Sequence, residues 1–350
     1  MPKRPTLQDV ATAAGVSPAT ASYALRGERG ADATVERVRA AATRLGYDAD
    51  PIARALATGS TGTVGVLCGS TRDLWQQRLA ADLSRALLAR GRHAVVADAD
   101  GDPDRERTQL EKLREQRPDG LVVAPLDPGA DHWHDVAERF PVVCVGERLP
   151  RAPSAGAVVF DNDAGAALVL DHLAALGHRR LVVVLPPRPS TPARPAEDLV
   201  RRHAARVGAE VVLVRPPPAT ADVAAQRDHL VAALEGPGRD ATAVFCLSDS
   251  LAFAALRAAS RLGRGVPDDL AVVGFEDLDL GDLVGPGLTT VGWGPPTDGP
   301  DPAVADAVVD AAVAQLLTSI EAGTPPTLTT IAPRLVVRGS TARRRVGPDE

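Results

Sequence analysis

The sequence predicts an all-α head followed by an α/β body of two doubly wound lobes. Two observations carry this prediction. The first sixty residues contain short helical patterns only, whereas from Val64 short runs rich in Val and Leu alternate with helical stretches. Near-continuous apolar runs joined by crossover helices are typical of parallel sheets buried on both faces. About ten such runs are too many for one open sheet, so we expect two lobes with a ligand cleft between them.

The head is expected to hold three helices and a short fourth. The pattern TLQD at Thr6 has the form of a capping box, which opens the first helix. Ser17 followed by Pro18 is typical of an N-cap and a first helical position. A third helix is predicted over 32–45, and a short fourth begins at Pro51.

In the body, Asp161-Asn162-Asp163 marks the expected crossing from one lobe to the other, and 288–293 marks the return. A helix over 303–320 then rejoins the first lobe. Two proline-rich loops, 186–195 and 292–302, follow strands. A surface connection and a binding role at the cleft are equally favoured for each of them.

These patterns divide the chain as follows. We expect a head over 1–49, a hinge over 50–61, a body over 62–340 and a tail over 341–350. Within the body, lobe 1 is expected to comprise 62–160 and 292–322, and lobe 2 to comprise 163–288 and 323–340.

Composition and charge narrow the class of protein. The 350 residues carry a net charge of −6, with +2 on residues 1–60 and −8 on the remainder, which favours a polyanion partner for the head. The three cysteines lie in separate apolar runs, as free thiols in a reducing compartment would. Neither a signal peptide nor a membrane span is predicted, so we expect a cytoplasmic protein.

The motifs do not indicate catalysis. We find no Walker loop and no GxSxG elbow, and His132-Trp133-His134 lacks a third metal ligand nearby. Glu276, Asp277 and Asp279 follow a strand, but nothing in the sequence supplies the partner that a glycosidase pair needs. We therefore expect no enzyme activity, no cofactor and no metal.

The second helix, within 14-AGVSPATASYALRG-27, is unusual because it is nearly uncharged and rich in small and hydroxyl side chains. A recognition helix in the major groove needs a thin exposed face. Here the hydroxyls can bond phosphates, Pro18 and Ala19 can lie on thymine methyls, and Tyr23 can reach a base edge or a phosphate. The alternative is an alanine-rich packed helix pair with no role in DNA binding.

The sequence from Thr6 to Leu56 resembles the DNA-binding head of the LacI/GalR repressor family, through TLQDVATAAGVSPATAS, TVERVRAAATRLGY and PIARALATGS. The body resembles the same family through RPDGLVVAP, VVFDNDAGAALVLDHLAALGHRRLVVV, AVFCLSDSLAFAALRA and VPDDLAVVGFEDL. The resemblance implies a homodimeric repressor with helix-turn-helix heads on a type I periplasmic-binding-protein-like effector domain. It also implies that 51-PIARALA-57 is a hinge helix, with Leu56 entering the minor groove of double-stranded operator DNA.

The resemblance and the helix chemistry together give two sets of candidate residues. The candidate DNA contacts are Thr6, Ser17, Pro18, Ala19, Thr20, Ser22, Tyr23, Arg26, Ala53, Arg54 and Leu56. The candidate contacts to a small-molecule effector are Trp75, Gln76, Arg194, Ser248, Asp249, Glu276 and Trp293.

The chain departs from the family pattern at the effector site. Ala196 stands where an arginine is frequent, so a strong forked hydrogen-bond donor is missing. A sugar, another small molecule and a degenerate pocket therefore remain open. The rival class, a solute-binding protein of the same two-lobed fold, is disfavoured by the head. The segment 339–350 has no apolar heptads, so we expect a dimer and not a tetramer.

Overall fold

The computed structural model describes residues 5–26, 31–47, 59–186, 196–217, 223–293 and 307–342. The chain divides into two compact units, Met1–Gly62 and Thr63–Glu350. Within the described ranges, no helix combines the length and the apolar character that crossing a membrane requires.

The head unit contains three helices: α1 (Leu7–Ala14), α2 (Pro18–Arg26) and α3 (Asp32–Leu45). The predicted capping box is confirmed, since the backbone N–H of Asp9 donates to Thr6 Oγ1 and the N–H of Thr6 donates to the Asp9 carboxylate. Helices α1 and α3 end at glycines with positive φ, where other residues are strained.

Six of the eight buried side chains in the core of the head are alanines, and partly buried Leu7, Val16, Leu25, Val35 and Tyr47 pack against them. The buried members of this core are Val10, Ala11, Ala14, Ala21, Ala24, Val38, Ala41 and Ala42. Because alanine side chains are small, the three helices can pack closely, but each one buries little apolar surface. We therefore expect the head to be stabilised by a narrow margin.

The first lobe is organised around a six-stranded parallel sheet in the order β11-β5-β4-β3-β1-β2. Its strands are β1 (Thr63–Cys68), β2 (His93–Asp98), β3 (Gly120–Ala124), β4 (Val142–Gly146), β5 (Gly156–Phe160) and β11 (Leu328–Ile331). Its helices are α4 (Leu74–Ala89), α5 (Pro103–Glu115), α6 (His132–Ala137) and α12 (Ala307–Ala322). Apolar clusters on both faces of the sheet confirm the predicted two-sided burial.

The second lobe has a four-stranded parallel sheet in the order β7-β6-β8-β9. Its strands are β6 (Arg180–Val184), β7 (Glu210–Val214), β8 (Ala243–Cys246) and β9 (Ala271–Val273). Its helices are α7 (Asn162–Ala175), α8 (Ala196–Arg206), α9 (Val223–Glu235), α10 (Asp249–Arg261) and α11 (Leu280–Leu283).

Three stretches of chain link the lobes. The first lies between β5 and α7, at the predicted crossing. The other two contain strands β10 (Thr290–Trp293) and β12 (Pro333–Val336), which pair antiparallel in a sheet of their own. The chain reaches lobe 1 after β10, forms α12 and β11, and leaves again through β12.

One expected lobe assignment needs correction. We expected all of 323–340 to belong to lobe 2, but β11 pairs in parallel with β5 in the sheet of lobe 1. The backbone partners Thr329 and Val158 are far apart in sequence, so the short run LTTI does not reveal which sheet it joins. Only the part from β12 onward leaves lobe 1.

The cysteines Cys68, Cys144 and Cys246 are free and buried, as predicted. Burial raises the pKa of the Cys68 thiol to about 12, with the negative charge of Asp98 adding to the effect. Such thiols remain protonated and unreactive.

Candidate functional sites of the head and the body

Helix α2 presents the face that the sequence predicted. Ala21 and Ala24 are fully buried against the rest of the head, whereas Pro18 and Ala19 are exposed and Tyr23 keeps 43% of its surface exposed. Residues four apart lie on one side of a helix, so Ala19 and Tyr23 share the outer face. From Pro18 to Leu25 the helix therefore displays small groups and one tyrosine, and none of these described side chains is charged.

The hydroxyl of Ser17 caps α2. Its oxygen accepts the backbone N–H of Thr20 at 3.1 Å and lies 2.8 Å from the Thr20 hydroxyl. Only one of these two hydroxyls can donate to the other, so one proton of the pair stays available to an outside acceptor such as a phosphate. Half-buried Ser22 lies one residue before Tyr23.

Thr6 has a different surrounding. Its hydroxyl is 2.8 Å from the Asp9 carboxylate and donates to it, while the same oxygen accepts the Asp9 N–H. A hydroxyl committed in this way cannot also donate to a phosphate, so the structure favours a capping role for Thr6 over the expected DNA contact.

Several candidates lie outside the described residues. These are Ala53, Arg54 and Leu56 of the hinge and Arg194 of the body, together with the side chain of Arg26, which is the last residue of α2.

In the body, the structure brings aromatic candidates from both lobes together. Trp75 of α4 meets Phe160 edge-on with ring centroids 5.5 Å apart, and Phe160 stacks on Trp293 at 4.5 Å. Trp293 also meets Phe275 of lobe 2 at 5.4 Å. We call the group formed by Trp75, Phe160, Trp293, Glu276 and Asp73 the interlobe seam.

Glu276 is the chemically distinctive residue of the seam. Its Oε2 is buried and has no hydrogen-bond partner among the described residues. Burial raises its pKa well above the ordinary value, and the negative charges of Asp73 and Asp249 raise that pKa further. Its φ of 120° is a conformation that non-glycine residues avoid, so the surrounding structure holds this carboxyl in place.

Asp249 does not face an effector, which corrects its expected role. It is 0% exposed, and its two oxygens accept the Thr290 hydroxyl at 2.6 Å and the Leu278 N–H at 2.7 Å. Burial raises its pKa. Asp249 therefore fixes the start of α10 to β10 and to the loop after β9, and it positions Glu276 instead of binding ligand.

Two further candidates, Ser248 and Gln76, also form hydrogen bonds within the protein. Ser248 caps α10 by accepting the Leu251 N–H at 3.2 Å. The side-chain oxygen of Gln76 accepts the Ser70 N–H at 3.1 Å. Each retains hydrogen-bonding groups that could reach a ligand.

Phe160 and Asp73 are not among the candidates that the sequence predicts. Phe160 ends the run VVF, and its only signal was an aromatic ring at the carboxyl end of a parallel strand, where ligands bind. Asp73 precedes LWQQ as an N-cap, and its carboxylate accepts the Gln76 N–H at 3.0 Å. Burial raises the pKa of Asp73.

A network of ion pairs joins the lobes beside Glu276. Asp277 accepts from Arg334 at 2.8 Å and from Arg338 at 2.9 Å. Its backbone carbonyl accepts from Arg78 of lobe 1 at 3.0 Å, and Arg78 lies 3.5 Å from Asp279. The carboxylate of Asp277 is thus neutralised by arginines, whereas that of Glu276 is not.

The structure also bears on metal binding and on the HWH motif. Within the described ranges, no group of three or more His, Cys, Asp or Glu side chains is arranged to hold a metal ion. Trp133, between the two histidines of the HWH motif, is fully buried, and its indole N–H donates to the Asp127 carbonyl at 2.9 Å. The motif belongs to the packing of lobe 1.

Comparison with protein families gives two matches. Residues 6–50 match the family described as bacterial regulatory proteins, lacI family. Residues 170–341 match the periplasmic binding protein-like domain.

Individual relatives match over nearly the full length. The HTH-type transcriptional regulator MalR of Streptomyces coelicolor is 34% identical over 348 residues, which cover 96% of each chain. The structure of the lac repressor dimer bound to operator and the anti-inducer ONPF has a TM-score of 0.79 and 23% identity, covering 97% of this chain and 100% of that one. The transcriptional regulator CelR–cellobiose complex has a TM-score of 0.65 and 25% identity, covering 96% of this chain and 100% of that one.

Proposed function

Because the chain belongs to the LacI family of bacterial regulatory proteins, we propose that it is a repressor that binds an inverted-repeat operator as a homodimer. A small molecule held at the interlobe seam controls this binding. The chain is a DNA-binding transcriptional regulator and not an enzyme. Its partner is chromosomal DNA, so it acts in the cytoplasm.

The outer face of α2 carries the DNA-binding part of the proposal. Exposed Pro18, Ala19 and Tyr23 form a surface thin enough for the major groove, and the hydroxyl pair of Ser17 and Thr20 supplies one free donor for a phosphate. The charge of +2 on residues 1–60 favours the same partner.

A dimer is required by the size of the head. One small helical unit offers about 600–1,000 Å² of contact surface, which is little for tight binding at cellular salt. Two heads related by a twofold axis would read two half-sites. Exposed apolar side chains of the body, among them Leu280 and Leu283 of α11, support such an association, since leucines exposed at 44% and 79% gain by being covered.

The hinge part of the proposal concerns Leu56. We expect 51–57 to become helical on DNA and to insert Leu56 at the dyad, which would kink the duplex at a flexible pyrimidine–purine step. Leu56→Ala should lose the bend and most of the specific affinity, yet sediment as the same oligomer as the parent protein. Normal bending by this variant would contradict the wedge.

The effector part of the proposal rests on the seam. Aromatic faces beside a buried acceptor are suited to a small polar molecule, and the seam spans both lobes, so a ligand there could change how they meet. The structural relative CelR is in complex with cellobiose, which supports a sugar as one candidate class.

The proposal is tested by selecting bound fragments from random DNA with the purified full chain. We expect enrichment of an inverted repeat with two half-sites. Enrichment of no sequence would contradict the proposal, as would a single unrepeated site that is bound by one copy of the chain.

A further inference from the structure

We propose that the molecule recognised at the interlobe seam is an organic cation, whose ammonium group lies against Glu276 and Asp73 and whose hydrocarbon part lies on Trp75, Phe160 and Trp293. This inference rests on the proposed function, since it names the chemical class of the effector of that site.

The seam brings several acidic side chains together. The negative charge of Asp73 disfavours the charged form of Glu276. The carboxylate of buried Asp249, at the start of α10, has the same effect, so three carboxyl groups lie near one another. The neighbouring Asp277 is neutralised by Arg334 and Arg338. No described arginine or lysine pairs with Glu276, so a positive charge from outside would complete the set.

One oxygen of Glu276 lacks a hydrogen-bond partner among the described residues. The N–H of Asp249 bonds the Glu276 carboxyl, but Oε2 remains buried and unsatisfied. A buried acceptor without a partner is costly, and a ligand N–H would supply the missing hydrogen bond. A primary ammonium group donates hydrogen bonds and carries charge, so it meets both needs of this carboxyl, whereas a quaternary ammonium group meets only the need for charge.

Aromatic side chains are concentrated at the seam. The chain has only three tryptophans and five phenylalanines, yet two of the tryptophans and three of the phenylalanines form one connected set of ring contacts, which includes Trp75, Phe160 and Trp293 of the seam. Trp75, Phe160 and Trp293 are each only partly buried, so they keep surface for a ligand. Aromatic faces attract ammonium groups, most strongly where water is excluded.

Other classes of ligand fit the seam less well. An anionic ligand would meet only like charges among the described residues of the seam. A neutral polyol could bond Oε2 but would bring no positive charge to the seam.

The proposal predicts how binding exchanges protons. Burial and the charges of Asp73 and Asp249 raise the pKa of Glu276 in the empty seam, and an ammonium ligand would lower that pKa again, so binding releases protons to the buffer. Affinity for a ligand whose charge is fixed therefore rises with pH until the free Glu276 is ionised. A neutral ligand has no such dependence.

The test uses the full chain and two matched pairs of ligands, measured by calorimetry. The pairs are glucosamine with glucose, and choline with the isostere in which carbon replaces its nitrogen. We expect at least one cation to bind roughly tenfold or more tightly than its neutral partner. Equal or tighter binding of the neutral partners, or no saturable binding of either cation, overturns the proposal. The two pairs also separate an amino sugar from a quaternary ammonium compound.

The variant Glu276→Gln keeps the shape of the side chain and removes its charge. We expect it to weaken the cation about tenfold and to abolish proton release, which is measured in two buffers of different ionisation heat. Asp240→Asn is the control, because it removes one charge from an acid that is 77% exposed and away from the seam. Unchanged cation binding by Glu276→Gln overturns the proposal.

The outcomes also separate this inference from the proposed function. A neutral sugar that binds at the seam and releases operator DNA would overturn the cation while leaving the repressor intact. Failure to select any operator would contradict the repressor, whereas the ligand measurements would stand on their own.

Discussion

The candidate DNA-binding surface and the interlobe seam are built in opposite ways. The surface on α2 comes from seven consecutive residues, 17–23, on a helix whose inner face packs on an alanine core. The seam gathers Asp73, Phe160, Glu276 and Trp293 from four distant parts of the body. A local surface can be recognised from sequence spacing, whereas a seam depends on how two lobes are joined.

The two units also differ in how much they bury. The head relies on alanine with two valines, while the body has large clusters containing leucine, valine and phenylalanine on both sheets. Since stabilisation rises with buried apolar area, the head should unfold more readily than the body. Substitutions in each unit should therefore affect its stability or its binding separately.

The largest effect is expected from a charge in the core of the head. Ala24→Asp places a carboxylate where the side chain is 0% exposed, which should cost at least about 3 kcal/mol and unfold the head. Calorimetry should show that the body transition persists. The matched control is Ala13→Asp, at an exposed position of α1, which should unfold as the parent does. Loss of the body transition in Ala24→Asp would contradict independent units.

The next effect concerns Asp249. Replacing it by Ala leaves the Thr290 hydroxyl and the Leu278 N–H without their buried acceptor, so the body should lose about 2–4 kcal/mol in free energy of unfolding. The head transition should not move. Asp249→Asn, which retains one acceptor, should lose less; a fully stable Asp249→Ala variant would refute the positioning role.

Tyr23→Ala addresses recognition. The side chain is exposed, so folding should be preserved, but operator affinity should fall by about 1–3 kcal/mol with relaxed preference at one base pair per half-site. The measurement is fluorescence anisotropy on operators substituted one base pair at a time. Equal weakening on every sequence would make Tyr23 a phosphate contact instead.

Arg78→Gln addresses the link between the lobes. The substitution removes the ion pair with Asp279 and weakens the bond to the Asp277 carbonyl. Because Arg78 is partly exposed, we expect only about 0.5–1 kcal/mol. Small-angle scattering should show a more open body, while Arg107→Gln, which removes an exposed pair within α5, should leave the scattering unchanged.

The most gradual effect is that of pH on Glu106. Burial raises its pKa to about 7, so the folded state holds this proton more tightly than the unfolded chain does. The contribution of Glu106 is therefore greatest below its unfolded pKa and is lost as the pH rises from about 4.5 to about 7. In Glu106→Gln this part of the pH dependence of urea unfolding should disappear, and an unchanged profile would contradict it.

The fold was predictable where the signals are local. Thr6, Ser17 and Gly46 mark helix ends through their own hydrogen bonds or backbone angles, so the helices of the head follow from a few residues. The apolar runs of the body likewise predicted parallel strands. The run LTTI of β11 carried no such information, because its partner β5 lies far away in the chain.

The seam was predictable only in part, for a physical reason. Trp75, Glu276 and Trp293 were found through strand ends and resemblance, but the residue type alone could not tell a ligand contact from a positioning group. The position of Asp249 after the strand AVFCL and its match to the family pattern predict a ligand contact, whereas its carboxylate accepts two hydrogen bonds from within the protein. The unpaired Oε2 of Glu276 became visible only with the lobes assembled.

The central claim is that the head binds DNA while the seam binds the molecule that controls it. The most direct test measures the affinity of three full-length proteins for one selected operator: the parent, Tyr23→Ala and Glu276→Gln. We predict that Tyr23→Ala loses about tenfold or more, while Glu276→Gln binds as the parent does and loses its response to the seam ligand. Loss of operator affinity by Glu276→Gln with full affinity in Tyr23→Ala would contradict the account.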